Sequence, residues 1–239
     1  MIVGTGAVGL ELAGEIREFG PPGVRITLVG RSKQILSEPF KLRESGIQGL
    51  LNDLADMDVE VISDSEVASH LPPADLMEGN PIVQTPDGVV LKSGRKIPCD
   101  LLLFALGARV NTSFLPKEWL DKTTGEVLVD QKTLQLLANK DVFCIGDAAK
   151  LDGPKRGYFA QKDADVGVAN VLQVLNGEQP THKIQRMTGI MVNLGSSKGQ
   201  LILPIITFGH WAIRWIKGKD LFTTNAWSSF AKDETCPPI

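Results

Sequence analysis

The chain has 239 residues, enough for one large domain or two small ones, with 43% hydrophobic and 22% charged residues. Its net charge of −3 supplies no electrostatic footprint for nucleic acid, and no nucleic-acid-binding motif is present. Three scattered cysteines, Cys99, Cys144 and Cys236, exclude a disulfide framework and a CxxC pair, and they fit a reducing, cytoplasmic compartment. No apolar run reaches the roughly 18 residues of a membrane helix, and no basic region opens the chain as a secretory signal would.

The first three residues read as the end of a buried strand, followed at once by Gly4-Thr5-Gly6-Ala7-Val8-Gly9. The spacing predicts a helix over 6–19, with Val8, Leu12, Ile16 and Phe19 on one face, stopped by Gly20-Pro21-Pro22-Gly23. A strand at 24–29, a helix at 42–57 and a strand at 59–62 complete the strand–helix alternation of a parallel, doubly wound sheet. Two turn signals, Pro86-Asp87-Gly88 and Ser93-Gly94, then predict an antiparallel meander. The apolar run 100–107 reads as a central parallel strand, and 127–129 and 141–149 as further buried strands. A helix over 160–175 follows, then the linker signal 176–180 and a small α+β or mostly β unit.

Gly4-x-Gly6-x-x-Gly9 assigns a physical task to each glycine. The first permits a tight turn, the second lets the backbone approach a pyrophosphate, and the third lets helix and sheet pack closely. The helix start then offers unpaired N–H groups and partial positive charge to phosphate. At the end of the second strand, where an acid would hold a ribose 2′-hydroxyl, stands Gly30-Arg31-Ser32-Lys33. Arg31 and Lys33 can hold a 2′-phosphate, with Ser32 donating to it, which points to NADPH preference or tolerance. The other reading of Arg31 is a solvated basic loop. His70, His182 and His210 are too scattered to suggest a catalytic set, and no metal cluster is expected.

With GTGAVGLELAGEI and DVFCIGDAA both in view, the chain resembles the pyridine nucleotide-disulfide oxidoreductase superfamily of FAD/NAD(P)-binding flavoproteins. The tail KGKDLFTTNAWSS (217–229) resembles the apoptosis-inducing-factor-like NAD(P)H:quinone oxidoreductases within it. The resemblance implies a Rossmann-like α/β NAD(P)H domain with a β-meander at 1–110. It also implies a partial FAD domain at 111–178 and a small C-terminal α+β domain at 179–239. Gly4, Gly6, Gly9 and Gly107 match cofactor-binding glycines; a proline frequent three residues after the last is Val110 here. Glu11 matches a helix glutamate facing the flavin edge; spacing alone equally allows an exposed first-turn acid helping the helix dipole. Asp147 matches the aspartate that accepts hydrogen bonds from the flavin ribitol, and an acid before a helix is also a good N-cap. The helix around Phe159–Asp163 matches the one whose N–H groups lie near the flavin pyrimidine. Lys217 matches a lysine near the flavin end of the active site; its plain reading is a surface cation.

The implied reaction passes a hydride from NAD(P)H to FAD and then electrons to a quinone-type acceptor. The first FAD fingerprint of full-length relatives has no counterpart here. A partial chain is therefore expected, with FAD bound weakly or not at all and a strand at 142–145 that exposes its ladder groups or finds substitute partners. The alternative is a non-catalytic NAD(P)H-binding or interaction remnant. Finally, 210–222 interleaves Trp211, Ile213, Trp215 and Ile216 with Arg214, Lys217 and Lys219. This suits either peripheral contact with a lipid surface, such as that of a mitochondrion, or packing in the C-terminal unit.

Overall fold

The structure is a computed structural model that describes residues 1–37, 42–68, 82–107, 109–153, 155–185, 189–216, 223 and 227. The chain divides into two compact units, Met1–Gly107 with Gly189–Ile239, and Ala108–Thr188.

The first unit opens with β1 (Ile2–Val3), α1 (Ala7–Phe19), β2 (Ile26–Val29), α2 (Glu44–Asp56) and β3 (Val59–Ile62). It continues through β4 (Ile82–Gln84), β5 (Val89–Val90), β6 (Lys96–Ile97) and β7 (Leu101–Phe104). Five strands form one sheet in the order β3-β2-β1-β7-β4. β1 pairs in parallel with both β2 and β7, whereas β4 runs antiparallel to β7. Both sheet faces are covered, and side chains alternate between them. Ile2, Ile26 and Leu28 join Leu10 and Ala13 of α1 and Ile47, Leu50 and Leu54 of α2 in one core. Val29, Leu102 and Phe104 join Val89, Leu91 and Ile97 on the other side.

The meander is split between two sheets. β4 belongs to the large sheet, while β5 and β6 form a separate two-stranded ribbon around the Ser93-Gly94 turn. The Pro86-Asp87-Gly88 turn joins the two, with the Gly88 N–H donating to the Thr85 carbonyl at 2.9 Å. α1 also departs from the predicted single stripe. Val8 and Phe19 are 67% and 72% exposed, whereas Gly9, Leu10, Ala13 and Gly14 are buried.

The reason lies 180 residues downstream. β8 (Ile190–Leu194), β9 (Lys198–Ile202) and β10 (Thr207–Phe208) form a three-stranded antiparallel sheet ordered β10-β9-β8. Ile190, Val192, Leu194 and Ile202 from this sheet enter the same core as α1 and α2. Approach is set by absent side chains. A Cβ on Gly14 would lie 2.4 Å from Leu194 Cα, and one on Gly46 2.5 Å from Ile202 Cγ1. Each helical glycine costs about 1 kcal/mol against alanine, while a buried leucine such as Leu50 or Leu194 returns about 1.5–3 kcal/mol. Packing therefore outweighs propensity here.

Polar groups pin the same layer. The buried Asp53 carboxylate on α2 accepts from Gln200 Nε2 at 2.9 Å and from the Gly199 N–H at 3.3 Å. His210, the first residue of α4 (His210–Ile216), places Nδ1 3.3 Å from the other Asp53 oxygen.

The second unit contains 3-10 turns at Lys117–Trp119 and Gly146–Ala148 and one long helix, α3 (Gly157–Leu175). Its core gathers Val127, Val129, Leu134, Leu136, Ala149 and Leu151. The predicted strands 127–129 and 141–149 form only isolated bridges: Val127 to Leu120 and Ala149, Val129 to Leu136, and Phe143 to Gln135. Residues 142–144 find substitute partners nearby, with Leu136 N–H donating to Val142 O and Cys144 N–H to Leu134 O. Burial holds the Cys144 thiol above its ordinary pKa. Buried Asn170 on α3 ties this core together, donating from Nδ2 to the carbonyls of Thr133 and His182, each at 3.0 Å.

Candidate functional site

The carboxyl ends of the parallel strands β2, β1 and β7 lie along one edge of the large sheet. β1 sends its connection to one side and β7 lies on the other, so this edge is a topological switch point, where open α/β sheets bind ligands. Gly4 closes β1 there with φ of +126°, and its N–H donates to Val29 O at 2.8 Å. A side chain on Gly4 would collide with the Ala105 carbonyl at 2.2 Å, and one on Gly9 with the Gly4 carbonyl at 2.0 Å. Gly6 differs: it is exposed, and nothing lies within 4 Å of the place its Cβ would occupy. First and third glycines are thus filled by protein, and the second opens onto free space. That is the division of labour a pyrophosphate-binding turn requires.

Gly6 is also the N-cap of α1, with no side-chain cap and no acid in the first turn. The first N–H groups of a helix have no intrahelical acceptor, so they stand available to an anion beside that open space. The residues present therefore fit the phosphates of a dinucleotide.

Gly30 follows β2 directly, and its missing Cβ would overlap Thr5 Oγ1 at 2.2 Å. Thr5 is buried and its carbonyl accepts from Leu36 N–H at 3.0 Å, which folds 31–36 back over the turn. Sequence reasoning passed over Gly30 and Thr5; a glycine at the end of a β-branched run was the available signal. Beyond it Arg31 and Lys33 are exposed and Ser32 half-buried. Ser65 N–H donates to Gly30 O and Asp64 N–H to Ser32 O, bringing the segment after β3 alongside. Glu66 there pairs with Lys92. Its carboxyl is held below the usual range chiefly by that lysine and further by the Arg31 charge. The segment after β3 thus runs alongside the basic loop and brings an acid into its surroundings, a neighbour that spacing along β2 does not reveal.

Gly107 follows β7 with φ of +95° and open space around it, so it shares the edge with Gly4 and Gly6. Glu11 lies in the second turn of α1, half-buried, where its Oε1 accepts from the Asn193 N–H on β8 at 3.3 Å. It is not the exposed first-turn acid that spacing alone allowed. In the second unit Asp147 occupies the 3-10 turn before α3 and is exposed. It does not cap α3, whose N-cap is Arg156. Phe159 and Asp163 are buried within α3. Lys217 lies outside the described residues. Among the described residues no group of three acidic, histidine or cysteine side chains can hold a metal ion.

Several known proteins are similar to this chain. The chain is 26% identical over 227 residues to FAD-dependent oxidoreductase FVFD30 of Flammulina velutipes, covering 92% of this chain and 66% of that protein. It is 26% identical to human ferroptosis suppressor protein 1, over 96% of this chain and 60% of that one. Fe-regulated protein 8 of Mycosarcoma maydis is 30% identical, over 82% of this chain and 46% of its own. The chain thus spans between about half and two thirds of the length of these relatives. By fold it is similar to the Escherichia coli flavoprotein disulfide reductase RclA, with a TM-score of 0.60 at 21% identity, covering 84% of this chain and 41% of that one. The family described as pyridine nucleotide-disulphide oxidoreductase matches residues 1–164, a span that takes in both the Gly4–Gly9 cradle and the Asp147 turn. The chain belongs to the pyridine nucleotide-disulphide oxidoreductase family.

Proposed function

We propose that the chain serves an FAD-dependent oxidoreductase that draws hydride from NAD(P)H and delivers electrons to a quinone-type acceptor. The observation that carries the proposal is the Gly4–Gly6–Gly9 cradle, closed on two sides by protein and open at Gly6. Bound nicotinamide supplies a hydride and bound flavin takes it up and passes the electrons on. The backbone of 4–9 would hold the pyrophosphate, and α1 would complement its charge. Arg31, Lys33 and Ser32 would bind a 2′-phosphate through charge-assisted hydrogen bonds. Gly107 would leave room for the nicotinamide end beside β7. The exposed Asp147 carboxylate would accept hydrogen bonds from a flavin ribitol. Relatives named as FAD-dependent oxidoreductase and ferroptosis suppressor protein support this reading.

A second reading is NAD(P)H binding without flavin. It is favoured by the isolated bridges at 127–129 and 142–144, where an FAD-binding sheet would have continuous strands. One experiment separates the two. The purified chain is titrated calorimetrically with NADPH and NADH, its visible spectrum is read for flavin, and NADPH oxidation is followed with a soluble quinone. Bound FAD with quinone-dependent oxidation supports the first reading. NADPH binding by a colourless protein, unchanged by added FAD, supports the second. Absence of nucleotide binding overturns both.

A further inference from the structure

α4 has its inner face accounted for. Ala212 and Ile213 are buried, and His210 at its start is fixed to Asp53 on α2. The outer face is a different surface. Trp211 and Trp215, one turn apart, are 68% and 88% exposed, and Ile216 beside them is 42% exposed. Phe208 meets the Trp211 ring edge-on at 5.6 Å, which steadies that indole without covering it. Arg214 projects from the same exposed side, and the preceding turn exposes Ile205 and Ile206. A tryptophan placed in a core would be largely buried, so core packing does not explain this pair.

We propose that this face of α4 is a docking surface for an anionic lipid bilayer, lying in the headgroup region without crossing it. Two observations select lipid as the occupant, and a third bears on the mode of contact. First, indole rings sit preferentially at the membrane interface, where an apolar body and an N–H are both accommodated. Second, from Gly189 to Ile216 the chain contains no aspartate or glutamate but carries Lys198 and Arg214, in a protein of net charge −3. Lys198 is paired with Asp56, which leaves Arg214 as the exposed cation on α4 itself. Third, no helix among the described residues is long and apolar enough to cross a membrane, so contact through α4 would be peripheral. The rigid anchoring of the inner face means that the aromatic side chains are held out at little further entropic cost.

The test uses the full chain with phosphatidylcholine vesicles, with and without phosphatidylserine. Co-sedimentation is expected with the anionic vesicles, together with a blue shift of tryptophan emission and quenching by doxyl-labelled lipid. Trp211→Ser with Trp215→Ser is expected to weaken binding roughly tenfold or more, and Arg214→Glu to reduce the preference for phosphatidylserine. Thermal midpoint and circular dichroism check that both variants stay folded; quenching in the unaltered chain stands whether they do or not. Absence of binding to either vesicle type overturns the proposal, as does binding without quenching or binding unaffected by the double substitution. A concentration-dependent dimer abolished by the double substitution, with no vesicle binding, also overturns it in favour of a second copy as occupant.

Discussion

A Cβ on Gly9 would fall 2.0 Å from the carbonyl oxygen of Gly4, so the last glycine of the turn exists to make room for the first. Gly6, between them, touches nothing in that sense. The two positions should therefore respond oppositely to the same methyl group. Gly9→Ala is expected to destabilise the first unit by about 1–3 kcal/mol through overpacking. Gly6→Ala should change stability by less than about 0.5 kcal/mol, yet weaken NADPH binding about tenfold, or 1.4 kcal/mol. Thermal melts and calorimetric titration of the two variants check this. Equal losses of stability would remove the distinction.

Arg31 is the residue proposed to set the choice between nicotinamide donors. If it binds a 2′-phosphate, Arg31→Ala removes one or two charge-assisted hydrogen bonds from NADPH and none from NADH. NADPH affinity should fall about ten- to hundredfold, with NADH affinity changing less than about threefold. Parallel titrations decide the matter, and equal losses for the two donors would assign Arg31 to the solvated loop instead.

Asn193 on β8 is buried, and among the described residues its side-chain oxygen and nitrogen have no hydrogen-bond partner. By the alternation of the strand it points away from the core that Val192 and Leu194 enter, into a layer that is itself buried. Unsatisfied polar atoms in such surroundings cost more than they return, and an apolar group of similar shape removes the cost. Asn193→Leu should raise stability by about 1–3 kcal/mol, read as a higher urea midpoint. A lowered midpoint would mean that the amide has a role in this site.

Asp121 provides a pH test in the second unit. Its carboxyl is held well below the usual range, first by the Lys150 ammonium and then by the N–H groups of Thr124 and Thr123. A carboxylate with a depressed folded pKa adds stability that is present above the ordinary pKa and is lost as pH falls through the lower folded value. Asp121→Asn should therefore lower the unfolding midpoint at neutral pH. The gap to the unaltered chain should narrow as pH falls below about 4. A gap that stays constant down to about pH 2 would assign the effect to packing rather than charge.

Much of the first unit was readable because its signals are local. The glycine turn, the buried runs of β2, β3 and β7, and the extents of α1 and α2 follow from spacing and turn chemistry. What escaped depended on partners distant in the chain. Val8 and Phe19 lie exposed because α1 packs through Leu10, Ala13 and Gly14 between two sheets, and periodicity expects one apolar face. The closeness of β8 and β9 is written in Gly14 and Gly46, where the informative feature is an absent side chain. The 142–144 segment is apolar enough for a strand, but its pairing is decided by which strands lie beside it. The segment 64–66 comes to lie beside the basic loop through the fold alone. Asp147 kept its place in a turn before a helix but lost its role as a cap, because α3 begins at Gly157.

The glycine-mediated seating of β8 and β9 on α1 and α2 has a consequence for synthesis. The back of α1 and α2 stays uncovered until Leu194 and Ile202 exist, 180 and 156 positions after Gly14 and Gly46. At about 5–20 residues per second, a ribosome leaves that apolar surface exposed for roughly ten to forty seconds. The nascent N-terminal half should accordingly remain sensitive to protease, and a client for chaperones, until the three-stranded sheet has emerged. Stalled chains ending before Gly189 would retain that sensitivity, and chains long enough to present β9 outside the exit tunnel would lose it.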